Sequence, residues 1–442
     1  MFKNKVVNII GAGLAGCEAA NFLASKGTKV KLYEMKNIKK TPAQKLDGFA
    51  ELVCSNSLKS TEPLSASGML KLELEKLDCF LLKIAKQCAV PSGNALSVDR
   101  ELFSQLVTNS IKNNKNIEIF DDIVEKIDIS KPTIIATGPL CDDKLFKNLS
   151  DLIGSSNCYF YDAIAPIVSA DSIDYSRAFW ANRYDKGETQ DYLNCWLNKQ
   201  EYEKFVNELV SAETIELKSF EKLKVFEGCM PIEVLAKRGE RSLRYGPMKP
   251  VGLSRHVEKE KPYAIVQLRK ENSQASCLNL VGFQTNLKFG EQQRVFSLIP
   301  ALKNAEFLRY GTMHRNSYIN APKCLNIYSQ LKEYKNVFVA GQISGVEGYV
   351  ESIASGLYSA INMWLYINDK QLIRLEDCTC IGAMLKYITS ASEDNFQPMN
   401  ANYGIISCDK HFEDKRQKKQ YMLEKAMSEI ERFKEEYNGK FI

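Results

Sequence analysis

Two cysteines stand where a thiol can do chemistry. Cys54 lies in Glu51-Leu52-Val53-Cys54-Ser55-Asn56-Ser57-Leu58, and Cys229 in Phe226-Glu227-Gly228-Cys229-Met230-Pro231-Ile232-Glu233. Both surroundings are small, polar and turn-like, and each has a carboxylate nearby that can carry protons, which is what a reactive thiol needs. Gly228 and Pro231 pin Cys229 in a rigid turn. An inert thiol is the competing reading for either residue. The rest of the 13 cysteines read as small apolar packing residues, reduced, in a chain without a secretory leader and therefore expected in the cytoplasm. Other chemistries are poorly supplied. His256, His314 and His411 are the only histidines, too few for a multi-histidine metal site, and Cys378-Thr379-Cys380 is not a zinc or thioredoxin spacing, so no metal is expected.

The elements that must position such a thiol begin at the N-terminus. Lys5 to Ile10 is a short apolar strand, followed by Gly11-Ala12-Gly13-Leu14-Ala15-Gly16, a helical stretch to Lys26-Gly27, and a second strand from Lys29 closing on Glu34. This is the dinucleotide fingerprint in its required context: Gly11 for the turn, Gly13 for approach of a pyrophosphate, Gly16 for helix packing, and Glu34 for a ribose hydroxyl. The apolar strand Thr133-Ile134-Ile135 ends in Ala136-Thr137-Gly138. Val337-Phe338-Val339-Ala340-Gly341-Gln342 repeats that design, followed by Gly345, Gly348 and Gly356. Glycine-ended strands this far apart favour FAD, which needs an extended site, over NAD held by one contiguous domain. The region between them then reads as an insertion.

At 442 residues the chain has material for two or three folding units, and 45% hydrophobic with 26% charged residues is an ordinary globular composition. No apolar run is long enough to span a bilayer, so no membrane is expected. Residues 237–261 carry eight basic and three acidic side chains, an excess equal to the net +5 of the whole protein. Such a stretch can track a phosphate backbone, or be a solvated loop. The expected division is 1–182 for the first part of the FAD-binding domain, 183–324 for a mixed α/β insertion domain, and 325–442 for the second part with a C-terminal helix over 413–437. A further helix is expected over Met69–Gln87.

Taken together, GAGLAGCEAA, FAELVCSNSL, IIATGPL, FEGCMPIE, GPMKPVGL, VGFQTNLKFGEQ, MHRNSYINAP, AGQISGVEGYVESIASG and NFQPMNANYG resemble the folate- and FAD-dependent RNA (uracil-5-)-methyltransferase family over essentially the whole chain. The resemblance implies an α/β fold, a Rossmann-type, glutathione-reductase-like FAD-binding domain interrupted by an insertion. It implies methylation of uridine C5 in RNA, with 5,10-methylenetetrahydrofolate as methylene donor by way of flavin N5, and reduction through FAD from NADH or NADPH. It makes Cys229 the thiolate that adds to uracil C6 and puts Cys54 beside the flavin, to protect the flavin–methylene adduct or assist proton removal at C5, although the roles of the two cysteines can be exchanged. It places flavin contacts at Gly341, Gln342, Gly348 and Tyr349, and folate or RNA contacts at His314, Arg315, Lys249 and Arg309.

Gln44 and Lys45 stand where family members commonly have histidine, and Trp196 where they have proline. With a Lys- and Asn-rich composition, this keeps the tRNA T-loop and 23S ribosomal RNA both open as substrates. Monomer and dimer are equally compatible. Two other classes compete: a flavin-dependent NAD(P)H oxidoreductase acting on a small molecule, and a non-catalytic RNA-binding flavoprotein.

Overall fold

A computed structural model of the chain describes residues 6–41, 43–154, 158–186, 189–215, 230–253, 261–272, 274–394 and 396–440, with the backbone alone at 158–163, 314 and 315. Cys229, and residues 254–260 of the basic stretch, lie outside the described residues.

The first part runs β1 (Val6–Ile10), α1 (Leu14–Ser25), β2 (Lys29–Glu34), β3 (Ser57–Ser60), α2 (Ala66–Lys76), α3 (Phe80–Gln87), β4 (Ala89–Val90), β5 (Ala95–Val98), α4 (Arg100–Lys112), β6 (Ile117–Asp121), β7 (Thr133–Ile135) and α5 (Asp143–Ile153). A second group follows: β8 (Cys158–Ala163), β9 (Ile167–Ser169), β10 (Ala178–Trp180), β11 (Tyr192–Leu197), α6 (Lys199–Ser211), α7 (Ile232–Ala236), α8 (Ser242–Tyr245), β12 (Ala264–Lys270), β13 (Cys277–Leu280), α9 (Phe289–Phe296), β14 (Phe307–Arg309) and β15 (Met313–Tyr318). The chain closes with α10 (Ala321–Cys324), β16 (Val337–Val339), α11 (Tyr349–Ile367), α12 (Cys380–Ser390) and α13 (Lys415–Gly439).

The β-branched runs build a five-stranded parallel sheet in the order β16-β7-β1-β2-β6, with Ile9 opposite both Leu32 and Ile134, and Phe338 opposite Ile134. Strands from the two ends of the chain are therefore neighbours, as a cofactor site shared by both ends requires. α1 and α11 cross closely enough that a Cβ on Gly356 would sit 2.4 Å from the Ala15 carbonyl oxygen.

The second sheet is six-stranded and antiparallel, ordered β10-β11-β12-β13-β9-β14. Its core gathers Val168, Leu193, Leu197, Phe205, Leu268, Phe283 and Phe296. β8 and β15 pair with each other and carry the chain in and out of this layer. The expected boundary at residue 183 falls inside the second sheet, between β10 and β11. β9 and β10 are three residues each, too short to display an alternating pattern in the sequence.

The single helix expected over 69–87 is two helices. Asp78 takes a left-handed conformation (φ 62°), and the buried Glu18 carboxylate accepts hydrogen bonds from the N–H groups of Phe80 and Leu81 that open α3. The C-terminal helix forms near its expected place, capped by Asp414 and burying Met422, Ala426, Ile430, Phe433 and Tyr437. No helix among the described residues is long and apolar enough to cross a membrane. Among the same residues no group of three or more His, Cys, Asp or Glu could hold a metal ion.

Candidate active site

A cleft enclosing about 1050 Å³ of empty space, part of it open to solvent, lies where β1, β7 and β16 end. Ligands of open α/β sheets bind outside the carboxyl ends of the strands in this way. Its walls include Gly11, Gly13, Leu14, Ala15 and Glu34 on one side, and Ala136, Thr137, Gly138, Gly341, Gln342 and Tyr349 on the other.

The fingerprint glycines divide their work. Gly11 has φ 101° and passes so close to β7 that a Cβ would lie 2.6 Å from the Ala136 carbonyl oxygen. A Cβ on Gly16 would lie 1.8 Å from the Gly11 carbonyl oxygen, whereas one on Gly13 would meet nothing within 4 Å. That open space faces the start of α1, where Gly13 is the N-cap and no side chain caps the helix. Its first N–H groups are thus left for an anion. Glu34 Oε2 accepts from the Ala12 N–H at 2.7 Å and Oε1 from the Lys36 N–H at 2.9 Å, so this carboxylate fixes the glycine turn while lining the cleft. Backbone donors, an open approach and a carboxylate near the second strand fit a dinucleotide with a pyrophosphate.

The Cys54 loop forms the cleft's edge, with Glu51 and Val53 in the lining. The Tyr349 hydroxyl, at the start of α11, accepts from the N–H of Cys54 at 2.7 Å and of Ser55 at 3.1 Å. Burial, then the neighbouring Cys54, pushes the Tyr349 hydroxyl up, and it stays a phenol. Three guanidiniums hold the other side of the loop. Arg100 Nη1 donates to the Leu52 carbonyl at 2.9 Å, Arg309 Nη2 to the Val53 carbonyl at 2.9 Å, and Arg269 to Ser55 Oγ at 2.7 Å and Asn56 Oδ1 at 2.8 Å. Arg269 and Arg309 belong to the second sheet, so the loop is clasped between the two layers. Glu51, the carboxylate expected to carry protons, is otherwise engaged: Lys36 Nζ donates to it at 3.0 Å and the N–H groups of Lys45 and Leu46 at 2.7 Å and 3.1 Å.

Comparison with known proteins finds relatives along nearly the whole chain. The family model described as glucose inhibited division protein A matches residues 6–371. Proteins named methylenetetrahydrofolate–tRNA-(uracil-5-)-methyltransferase TrmFO are similar over nearly the full length. That of Caldicellulosiruptor bescii is 52% identical over 423 residues, covering 95% of this chain and 97% of the relative. That of Bacillus subtilis is 51% identical over 402 residues, covering 91% and 92%. The chain belongs to this uracil-5-methyltransferase family. Among solved structures, Aquifex aeolicus GidA in its form II crystal superposes with a TM-score of 0.72 at 16% identity, covering 99% of this chain and 74% of that one, a likeness of fold.

Against this family the expected site residues distribute unevenly. Ala12, Gly16 and Gly348 are not among the cleft-lining residues; Gly348 caps α11, where a Cβ would strike Glu351 Oε2 at 2.2 Å. His314 and Arg315 sit in β15 opposite Asp162 and Tyr161. Lys249 lies after α8, its carbonyl accepting from Arg183 Nη1 at 2.9 Å, away from the cleft lining. Arg309 spends Nη2 on the Cys54 loop instead of facing solvent with a bare guanidinium. Immediately after Cys229, Ile232 is fully buried in the second core and Glu233 is spent on Thr285 and Asn286. Arg100, Arg269 and the loop contacts of Tyr349 carry no signal in the sequence. The two arginines come from separate elements with no shared spacing, and only their joint approach to one loop marks them.

Proposed function

We propose that this protein is a folate- and FAD-dependent enzyme that methylates C5 of a uridine in tRNA. Its relatives' names support the reaction and the RNA class. The observation that carries the reading is the seat of Cys54, whose loop hangs from Tyr349 at the wall of the dinucleotide cleft. FAD bound there would supply the reducing equivalents, renewed by NADH or NADPH, that turn a methylene from methylenetetrahydrofolate into a methyl.

The chain's own residues do the rest. Uracil C5 is a poor nucleophile until a thiolate adds to C6 and leaves enolate charge on C5. Cys229 takes that role, supported by its family motif. Cys54 accepts the proton that leaves C5 after the new carbon–carbon bond forms, and once the methyl group is in place the C6–S bond breaks, releasing the Cys229 thiolate and restoring the C5–C6 double bond. Gly13 and the opening turn of α1 receive the pyrophosphate, and Glu34 the ribose. Ala136, Thr137, Gly138, Gly341 and Gln342 wall the cofactor, while Tyr349 fixes the Cys54 loop. The basic stretch 237–261 tracks RNA phosphates, with Lys249, His314 and Arg315 as contacts to RNA or folate.

The test is mass-spectrometric mapping of 5-methyluridine after incubating the holoenzyme with methylenetetrahydrofolate, NADPH and unmodified tRNA or 23S ribosomal RNA. Product in tRNA supports the reading, product in ribosomal RNA alone moves the substrate, and product in neither with flavin retained overturns it.

A further inference from the structure

We infer that Arg100, Arg269 and Arg309 are positioning residues that lock the Cys54 loop across the two sheets and favour the thiolate form of the Cys54 sulfur. The inference deepens the proposed function, resting on Cys54 as the proton acceptor, because a residue that takes a proton from C5 must first be without one.

The geometry is a clasp of four hydrogen bonds. Arg100 and Arg309 fix the two carbonyls preceding Cys54, and Arg269 fixes the two side chains following it. Tyr349 fixes the Cys54 N–H itself. The loop is held on both flanks of Cys54 by these three guanidiniums, and each of them interacts electrostatically with Cys54.

The charges around the loop do not cancel. From α4 comes Arg100, with Asp99 spent on capping the Leu102 N–H at 3.1 Å. From β12 and its end come Arg269 and Glu271, the latter ion-paired with Arg100 at 2.6 Å, while Lys270 points to the Trp180 ring. From β14 comes Arg309. From α11 come the neutral Tyr349 and Glu351, which is paired with Lys59 at 2.8 Å. On the loop itself Glu51 is neutralised by Lys36. Three guanidiniums thus face one carboxylate, and Arg100 Nη2 is buried without a hydrogen-bond acceptor among the described residues. A guanidinium stays charged when buried, so the excess positive charge favours the anionic form of a neighbouring thiol. Three arginines around one short loop are more than a structural tie requires, since neutral donors would hold the same carbonyls.

The experiment is alkylation of the holoenzyme with iodoacetamide from about pH 5 to 10, the peptides carrying Cys54 and Cys408 being quantified by mass spectrometry. Cys54 is expected to reach half-maximal rate about one pH unit or more below Cys408. Arg269→Met and Arg309→Met should raise the Cys54 midpoint by about one unit, while Arg269→Lys and Arg309→Lys, which keep the charge, should leave it near the wild-type value. Equal midpoints for Cys54 and Cys408 in the wild-type protein overturn the inference, and this arm needs no variant to fold. Lys variants that shift as far as the Met variants also overturn it, because the effect would then be one of hydrogen bonding. The readout needs no RNA and no turnover, so an enzyme that methylates nothing would sink the proposed function and leave this result standing.

Discussion

The hydroxyl of Tyr349 accepts hydrogen bonds from the N–H groups of both Cys54 and Ser55, at 2.7 Å and 3.1 Å, across nearly 300 residues of sequence. One oxygen at the start of α11 therefore anchors the loop that carries the thiol. Tyr349→Phe keeps the ring in the cleft wall and removes the acceptor, leaving two backbone donors without their partner. The expected cost in stability is about 1–3 kcal/mol. Methylation should fall much further than flavin content, because the loop loses its register while the dinucleotide cradle is untouched. Flavin absorbance and 5-methyluridine formation on the same preparation check this; loss of both in proportion would contradict it.

Gly13 and Gly16 are three residues apart and predict opposite phenotypes. Gly13 has an ordinary extended backbone and open space where a Cβ would go, so Gly13→Ala should leave the unfolding of the apoprotein within about 1 kcal/mol of wild type. The methyl occupies the approach of the pyrophosphate, and FAD affinity should drop about tenfold or more. Gly16→Ala drives a Cβ into the Gly11 carbonyl and should destabilise the fold itself by about 3 kcal/mol. Denaturant melts of the two apoproteins, with flavin titration of each, separate these outcomes.

How much of this is legible in the sequence follows from which signals are local. The fingerprint from Gly11 to Glu34 is one strand, one turn and one helix, so its glycines declare their task in the sequence. The kinship of β16 and β7 is visible there too, because Ala340-Gly341 repeats the glycine ending of Ala136-Thr137-Gly138, and the two strands are indeed neighbours. The extent of the second sheet is not legible, because β9, β10 and β14 are three residues long, and β9 and β14 take their place from partners far along the chain. Cys54 is legible as a thiol in a turn, but the arginines that surround it are not. Arg100 opens a helix, Arg269 is a buried residue in a strand and Arg309 ends another, and nothing in their spacing joins them. Glu51 misleads for the same reason: its neighbours in sequence suggest a proton carrier, while Lys36 and two backbone N–H groups claim it in space.

Glu73 gives the fold a pH dependence whose sign is determined. Its carboxylate is fully buried and accepts from the N–H groups of Cys380 at 2.6 Å and Ile381 at 3.0 Å, capping α12 from α2. Burial outweighs those hydrogen bonds and raises its pKa from 4.5 to about 7. A carboxyl raised on folding stabilises the folded state fully below its unfolded value, and that contribution is lost as pH rises through the folded value. Glu73→Gln turns an amide NH2 toward one of the two N–H groups and should be less stable than wild type at pH 5, and the gap should narrow by about 2 kcal/mol by pH 7.5. Thermal melts of the two proteins at both pH values check this. A gap that stays constant or widens would show that Glu73 does not titrate in this window.

Lys36 and Glu51 form an ion pair whose side chains are 4% and 6% exposed, 3.0 Å apart. Lys36 Nζ also donates to the Gly48 carbonyl at 2.6 Å, so one ammonium ties both ends of the turn between β2 and the Cys54 loop. Lys36→Met preserves much of the side-chain volume and removes the charge, leaving a buried carboxylate held by backbone donors alone. Breaking one partner of such a pair costs about 3–5 kcal/mol. Because Glu51 lines the cleft beside Val53, the damage should extend to the cofactor, with FAD released on dilution under conditions where the wild-type protein retains it. The double variant Lys36→Met with Glu51→Gln removes the stranded charge and should recover part of the lost stability. Denaturant melts of the single and double variants decide between an electrostatic role and mere packing: if Glu51→Gln brings no recovery, the charge on Lys36 is not what the fold requires.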